Sequence, residues 1–284
     1  MLGPDISLLS DAGPTNQNME TRNMASSIFD LTGRVAVVTG GNGGIGLGIA
    51  QALNAAGCHV SIWGRNAEKN KAAAATMADG PAKVDTRICD VSDPASVKAA
   101  MQATLDAFGR VDGCFANAGI GGGGRRAFID RTEEEWRKMF ATNLDGVFHV
   151  FQAAARHMTE RANTGDRFGR LVATSSLASL FGTARNEHYA ATKAAINALV
   201  RALAVELARH GVTANAILPG WIRSEMTAKI MSDEKFVGNV MPRIPMRRFG
   251  EPSDFGGIAV YLMSGASSYH TADCFVIDGG YTAF

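Results

Sequence analysis

The stretch VVTGGNGGIGLGIA, residues 37–50, decides how the rest of the chain reads. Its first half closes a short β-rich apolar run, RVAVVT (34–39), and its second half opens an amphipathic, helix-like segment, GIGLGIAQALNAAG. The glycines between them satisfy G-x-G-x-x-G through Gly41, Gly43 and Gly46, and T-G-x-x-x-G-x-G through Thr39, Gly40, Gly44 and Gly46. A strand turning directly into a helix presents backbone N–H groups and the positive end of the helix dipole, and any Cβ there would hold an anion off. In that context the pattern predicts a cradle for a dinucleotide pyrophosphate. GIGGGG (119–124) serves as a control, because it matches G-x-G-x-x-G after a strand too. It runs into Arg125, Arg126 and a loop and opens no helix, so it reads as a mobile rim of a pocket and not as a second cradle.

Working outward, CHVSIW (58–63), KVDTRICD (83–90), VDGCFAN (111–117), GRLVATSS (169–176), VTANAIL (212–218) and DCFVID (273–278) repeat the strand signature, with helical patterns between them. Ser92-Asp93-Pro94 marks a helix start, and the T-E-E-E opening at Thr132, with Glu135 three positions on, is a capping box that begins a long helix. Alternation of apolar strands and helices predicts β-α-β units, a parallel sheet and helices on both faces. The expectation is one doubly wound α/β domain over 28–284, preceded by a flexible extension over 1–27, which has neither clear period nor the layout of a secretory signal.

Composition excludes several classes. The 284 residues are 46% hydrophobic and 19% charged, enough for a sizeable core, and formal net charge is +1 without a basic block to track nucleic acid. No apolar run reaches the length of about 18 residues that a membrane span needs. Cys58, Cys89, Cys114 and Cys274 form no C-x-x-C pair and the six histidines no cluster, so no metal site is read and the cysteines are taken as small buried hydrophobes in a reducing cytoplasm.

EHYAATKAA (187–195) puts Tyr189 and Lys193 four apart, on one helix face. Alone, Y-x-x-x-K is most often a surface pair. With TGGNGGIG (39–46), CDV (89–91), ANAG (116–119), TNLDG (142–146), Ser176 thirteen residues before the tyrosine, LPGWIRSEM (218–226) and IDGG (277–280), the chain resembles the short-chain dehydrogenase/reductase family over roughly residues 31 to 281. The resemblance implies a Rossmann fold with a seven-stranded parallel sheet in the order 3-2-1-4-5-6-7 and hydride transfer between NAD(P)(H) and a carbonyl or secondary alcohol. It implies Tyr189 as general acid/base, Lys193 lowering the phenol's pKa and binding the nicotinamide ribose, Ser176 holding the substrate oxygen and Asn143 supporting a water relay to Lys193. A mid-helix asparagine can also merely cap or kink. The implied cofactor contacts are Gly40, Asn42, Gly44, Ile45, Gly46, Arg65, Asp90, Val91, Asn117, Ala118, Gly119, Tyr189, Lys193, Pro219, Gly220, Ile222 and Ser224. Ala116, Ser224 and Ala272 depart from the family pattern, the last where a glycine commonly precedes the final strand.

SIWGRNAEK (61–69) holds Gly64 where an acid would bind the ribose 2′-OH of NAD, and Arg65 follows it. Glycine leaves room for a phosphate and Arg can pair with it, which favours NADP(H) over NAD(H), although Arg65 could also stack on the adenine. Two other readings stand beside the reductase: a dinucleotide-holding sensor without turnover, and a sugar or polyol dehydrogenase using NAD. Trp221, Met226, Ile230, Met231, Phe236 and Met241 are either core contacts of a lid or the lining of an apolar substrate pocket, and Arg125 and Arg126 either recognise an anionic group or are solvated. The helices beginning near Thr132 and Glu187 imply, by resemblance, a homotetramer built as a dimer of dimers.

Overall fold

The structure, a computed structural model, describes residues 28–121 and 126–283. The expected extension over 1–27 and most of the glycine-rich rim, with Arg125, lie outside the described residues. Seven strands, β1 (Val35–Thr39), β2 (His59–Gly64), β3 (Val84–Ile88), β4 (Gly113–Ala116), β5 (Gly169–Thr174), β6 (Val212–Pro219) and β7 (Cys274–Ile277), form one sheet in the order β3-β2-β1-β4-β5-β6-β7. All pairings are parallel. The helices are α1 (Gly44–Ala55), α2 (Ala67–Ala75), α3 (Pro94–Phe108), α4 (Glu133–Phe140), α5 (Gly146–Asn163), α6 (Glu187–Leu207), α7 (Glu225–Met231), α8 (Glu234–Val240) and α9 (Gly256–Met263).

Strand register explains why the strands read as continuous apolar runs. Val37, Cys114, Leu171 and Ala214 are neighbours across β1, β4, β5 and β6 and belong to one core; Val38, Phe115 and Val172, one step along, belong to the other. Each face is covered by helices, so both side-chain sets of the inner strands β2, β1, β4, β5 and β6 are buried. Cys58, Cys89 and Cys114 are buried and Cys274 half-buried, all free thiols, the first three within these cores.

Local signals placed the helix starts well. Asp93 caps α3 by accepting from the Ala95 N–H at 2.9 Å with Pro94 first in the helix, and Thr132 and Glu135 make both bonds of the capping box on α4. The long helix expected from Thr132 is interrupted, however. Between α4 and α5 the chain widens into a π-turn, Ala141–Asp145, which turns Asn143 inward to full burial. Its amide donates to the Ile120 carbonyl at 2.9 Å and accepts from the Ile120 N–H at 2.8 Å, tying the helix to the loop after β4. Ala272 keeps the left-handed backbone (φ 69°) that a glycine would adopt more easily, so the turn into β7 survives the substitution.

Candidate active site

Strand order reverses between β1 and β4, and the carboxyl ends of those strands open a crevice. A cavity of about 320 Å³ lies over the glycine loop and a second of about 300 Å³ continues it, because Gly40, Asn42, Lys69, Ala118, Gly119 and Ile120 border both. The loop is shaped by what it lacks. Gly40 (φ 63°) and Gly44 (φ 50°) take left-handed backbone, and a Cβ on Gly46 would run into the Gly40 carbonyl oxygen. Gly46 therefore does not line the cavity; it lets α1 approach from beneath. Helix α1 begins on Gly43 with no side-chain cap, so its first N–H groups face the cleft beside Gly44 and Ile45, a donor set that fits a pyrophosphate. The Thr39 hydroxyl accepts from the N–H groups of Asn117 and Ala118, both at 3.0 Å, and so locks the end of β4 to the glycine loop.

The second cavity runs past the end of β2. Gly64, Arg65, Asp90, Val91 and Gly119 line it, with Arg65 exposed at its edge. Bonds from the Ser92 hydroxyl at 2.6 Å and N–H at 3.0 Å, with Arg65 nearby, hold the Asp90 carboxyl below the usual range. Gly64 borders this cavity, and the place a Cβ would take on it is held by Asn42 and Asn70, whose amides are bonded to each other at 2.6 Å. Asn70 is buried and also donates to the carbonyls of Gly64 and Arg87, both at 2.9 Å, so the pair is fixed. Any side chain at position 64 would collide with it.

At the other end of the cleft, Ser176, Tyr189 and Lys193 line one cavity together. Lys193 is buried, donates from Nζ to the Thr174 carbonyl at 2.7 Å, and lies 5.5 Å from the centre of the Tyr189 ring. The Ser175 hydroxyl donates to the Lys193 carbonyl at 2.9 Å and pins the helix to β5. Burial brings the Lys193 ammonium down to about 8. Burial also pushes the Tyr189 phenol up, with Ser176 pulling the other way, so the expected lowering by Lys193 is not what governs this phenol. Asn143 is not part of the lining; it stands behind the Gly119–Ile120 bend, on the side of Gly119 that also faces Lys193 Nζ. Pro219, Gly220, Ile222 and Ser224 line the far wall, where the Gly220 N–H donates to the Ile277 carbonyl at 2.9 Å.

The sequence reading passed over Lys69, Thr174, Ile120 and Glu225, which also line the cleft. Thr174 sits in the quoted strand end and could have been found from its place beside Ser175-Ser176; Lys69 and Glu225 carry no pattern. After Gly220, Met226 faces the cleft beside Ile222, while Trp221, Met231, Phe236 and Met241 pack on the core. Arg126 is taken up by the Asp130 carbonyl and Glu135. Among the described residues no group of three or more His, Cys, Asp or Glu is placed to hold a metal ion, and no helix is long and apolar enough to cross a membrane.

A glycine-loop crevice at the switch point of a Rossmann sheet, with Ser, Tyr and Lys gathered at one end, defines an oxidoreductase that works with a nicotinamide dinucleotide. The sequence model of a family described as Enoyl-(Acyl carrier protein) reductase matches residues 40–282. The gluconate 5-dehydrogenase of Gluconobacter oxydans is 35% identical over 256 residues, covering 90% of this chain and 97% of that protein. The 3-oxoacyl-(acyl-carrier-protein) reductase FabG of Chlamydia pneumoniae is 34% identical, covering 89% and 98%. A solved gluconate 5-dehydrogenase from Burkholderia cenocepacia, in complex with NADP and tartrate, superposes with a TM-score of 0.84 at 33% identity, covering 92% of this chain and 99% of that one. The chain belongs to the short-chain dehydrogenase/reductase family and is an NAD(P)-dependent enzyme acting on CH–OH groups.

Proposed function

We propose that the protein interconverts a ketone and a secondary alcohol with NADP(H), and that Tyr189 moves the proton. The observation that carries this reading is the meeting of Ser176, Tyr189 and Lys193 in the cavity that the glycine loop also lines. The nicotinamide, when bound, supplies or accepts the hydride. The Ser176 hydroxyl, which accepts from the Ala178 N–H at 3.1 Å, keeps its own proton to donate to the substrate oxygen. The Tyr189 phenol gives its proton to that oxygen as negative charge gathers there, and takes it back in the oxidative direction. Lys193, held by Thr174 beside the phenol, would bind the nicotinamide ribose, with Asn143 behind Gly119 supporting a water path to it.

The Asn42–Asn70 pair supports NADP(H) by a route other than open space. An aspartate at position 64, the acid that would bind a ribose 2′-OH, would have to displace this pair, and Arg65 remains at the rim for a phosphate. The solved relative with bound NADP is in keeping with this. With most of the lid's apolar side chains turned into the core, the pocket has little call for an acyl chain, and a small hydroxylated acid of the kind named in the gluconate dehydrogenase relatives is the favoured substrate class. Following NADPH oxidation against polyol keto acids, cyclic ketones and 3-oxoacyl thioesters, with Tyr189→Phe as blank, tests it; turnover that survives loss of the phenol would sink the mechanism.

The same reading extends to assembly and setting. Phe148 on α5 and Val205 on α6 are 48% and 82% exposed, and Tyr269 and Val276 lie exposed near β7. Two separate apolar faces suit a homotetramer made as a dimer of dimers, and light scattering at one protomer mass would contradict it. Free thiols held in the cores fit a cytoplasmic setting.

A further inference from the structure

Lys69 stands on α2, three residues past its N-cap Asn66, and borders both cavities of the cleft. Its ammonium is bonded to both carboxylate oxygens of Glu225, at 2.7 and 2.5 Å. Glu225 is the first residue of α7 and lies 156 positions further along the chain. The pair therefore spans the mouth of the cleft, from the wall that follows β2 to the short helix on the far side. From the next position on that helix, Met226 reaches the opposite rim, so close that a Cβ on Gly121 would lie 3.2 Å from its Cγ.

Three sources of positive potential converge under this bridge: the uncapped start of α1, Arg65 and Lys69. The acids that border the same space are Asp90, which acts on Arg65, and Glu225, which is bonded to Lys69. Asp90 is anchored by Ser92, whereas the Glu225 side chain is 82% exposed and makes a surface ion pair of the weak, exchangeable kind. A phosphate monoester carries about −1.5 to −2 charge near neutrality and three acceptor oxygens, so it outcompetes one exposed carboxylate for a lysine.

We propose that Lys69 is the second cationic contact, beside Arg65, for the extra phosphate of the phosphorylated dinucleotide, and that Glu225 is an internal competitor which that phosphate displaces. The proposal rests on the NADP(H) reading above. It makes cofactor discrimination a property of two walls of the cleft, one of them on the helix that overlies it.

The test is equilibrium binding of NADPH and of NADH to the purified protein, followed by nucleotide fluorescence, for the wild type, Lys69→Gln and Glu225→Gln, with circular dichroism to check each fold. Lys69→Gln is expected to weaken NADPH about tenfold and NADH less than about twofold, the scale of one charge-assisted bond. Glu225→Gln is expected to tighten NADPH about two- to fivefold and leave NADH unchanged, as removal of a weak surface competitor should. Equal weakening of both nucleotides by Lys69→Gln would overturn the proposal, since the lysine would then serve the shared pyrophosphate; so would an unchanged NADPH affinity in Glu225→Gln. Failure of the underlying reading looks different: the wild type itself would bind NADH as tightly as NADPH.

Discussion

Tyr189 and Lys193 sit one turn apart on α6, and their surroundings push the two groups toward their neutral forms, the phenol up and the ammonium down to about 8. Reduction needs the phenol protonated, and oxidation needs it deprotonated. A raised phenol therefore leaves reduction flat across neutral pH and moves oxidation to the alkaline side. We expect kcat/KM for alcohol oxidation to climb as pH rises into the alkaline range, and kcat/KM for ketone reduction to hold level through neutrality; an oxidation optimum near pH 6 would contradict the assignment. Tyr189→Phe should lower turnover by roughly 10²–10⁴ while leaving dinucleotide binding nearly intact, measured as kcat beside a fluorescence titration. Lys193 has a stability signature as well. Its folded pKa is depressed, so the unfolded chain binds the extra proton between about 8 and the ordinary lysine value of 10.5, and stability rises with pH across that window. Lys193→Met, neutral throughout, should gain most over the wild type below pH 8 and lose that advantage toward pH 10.5 in thermal melts.

At the scale of elements, the loop between β1 and α1 shows what was legible and why. Its glycines, the strand before and the helix after are all local in sequence, so the cradle could be read directly. The same holds for the Asp93 and Thr132 caps, which act within three residues. The π-turn at Ala141–Asp145 was not legible, because its cause is the Ile120 backbone some twenty positions away, for which Asn143 must turn inward. The crowding at Gly64 was not legible either, because the residues that meet it, Asn42 and Asn70, come from two other segments. The lid was left open between core and pocket for the same reason, since helical spacing reports a face and not whether that face meets the core or a ligand, and most of it meets the core. A test at this scale is Gly46→Ala. The new methyl would drive into the Gly40 carbonyl and the Asn117 amide, so the loop must shift. We expect a loss of about 1–3 kcal/mol in stability together with weaker dinucleotide binding, whereas an equally stable, equally tight variant would show that the close approach is not needed.

Across the whole molecule, the end of the sheet opposite the cleft is tied together by one carboxylate. Asp112, fully buried where the chain enters β4, accepts from the Val35 N–H at 3.0 Å, Arg110 Nε at 2.8 Å and Arg161 Nη1 at 2.8 Å, with Arg34 at 3.4 Å. It thereby joins the start of β1, the approach to β4 and helix α5. Burial pushes its pKa up, but the Arg110 bond and the Arg161 charge outweigh that and hold it below the usual carboxylate value. The depressed pKa means stability that is whole above the unfolded value of about 3.9 and lost as pH falls through the folded one. Removing the carboxylate leaves Arg161, mostly buried, without its closest acid, and the Val35 N–H without a partner. Asp112→Ala should therefore cost about 3–5 kcal/mol, the range for breaking a buried pair, while Asp79→Ala on the surface stays within about 0.5 kcal/mol. Urea melts at one fixed protein concentration measure both, since assembly would otherwise contribute. Repeated from pH 7 down to pH 3, the melts should show the wild type losing its advantage over Asp112→Ala below pH 4. A gap that stayed constant would mean the aspartate acts by shape alone, and its charge does not hold the far end of the sheet together.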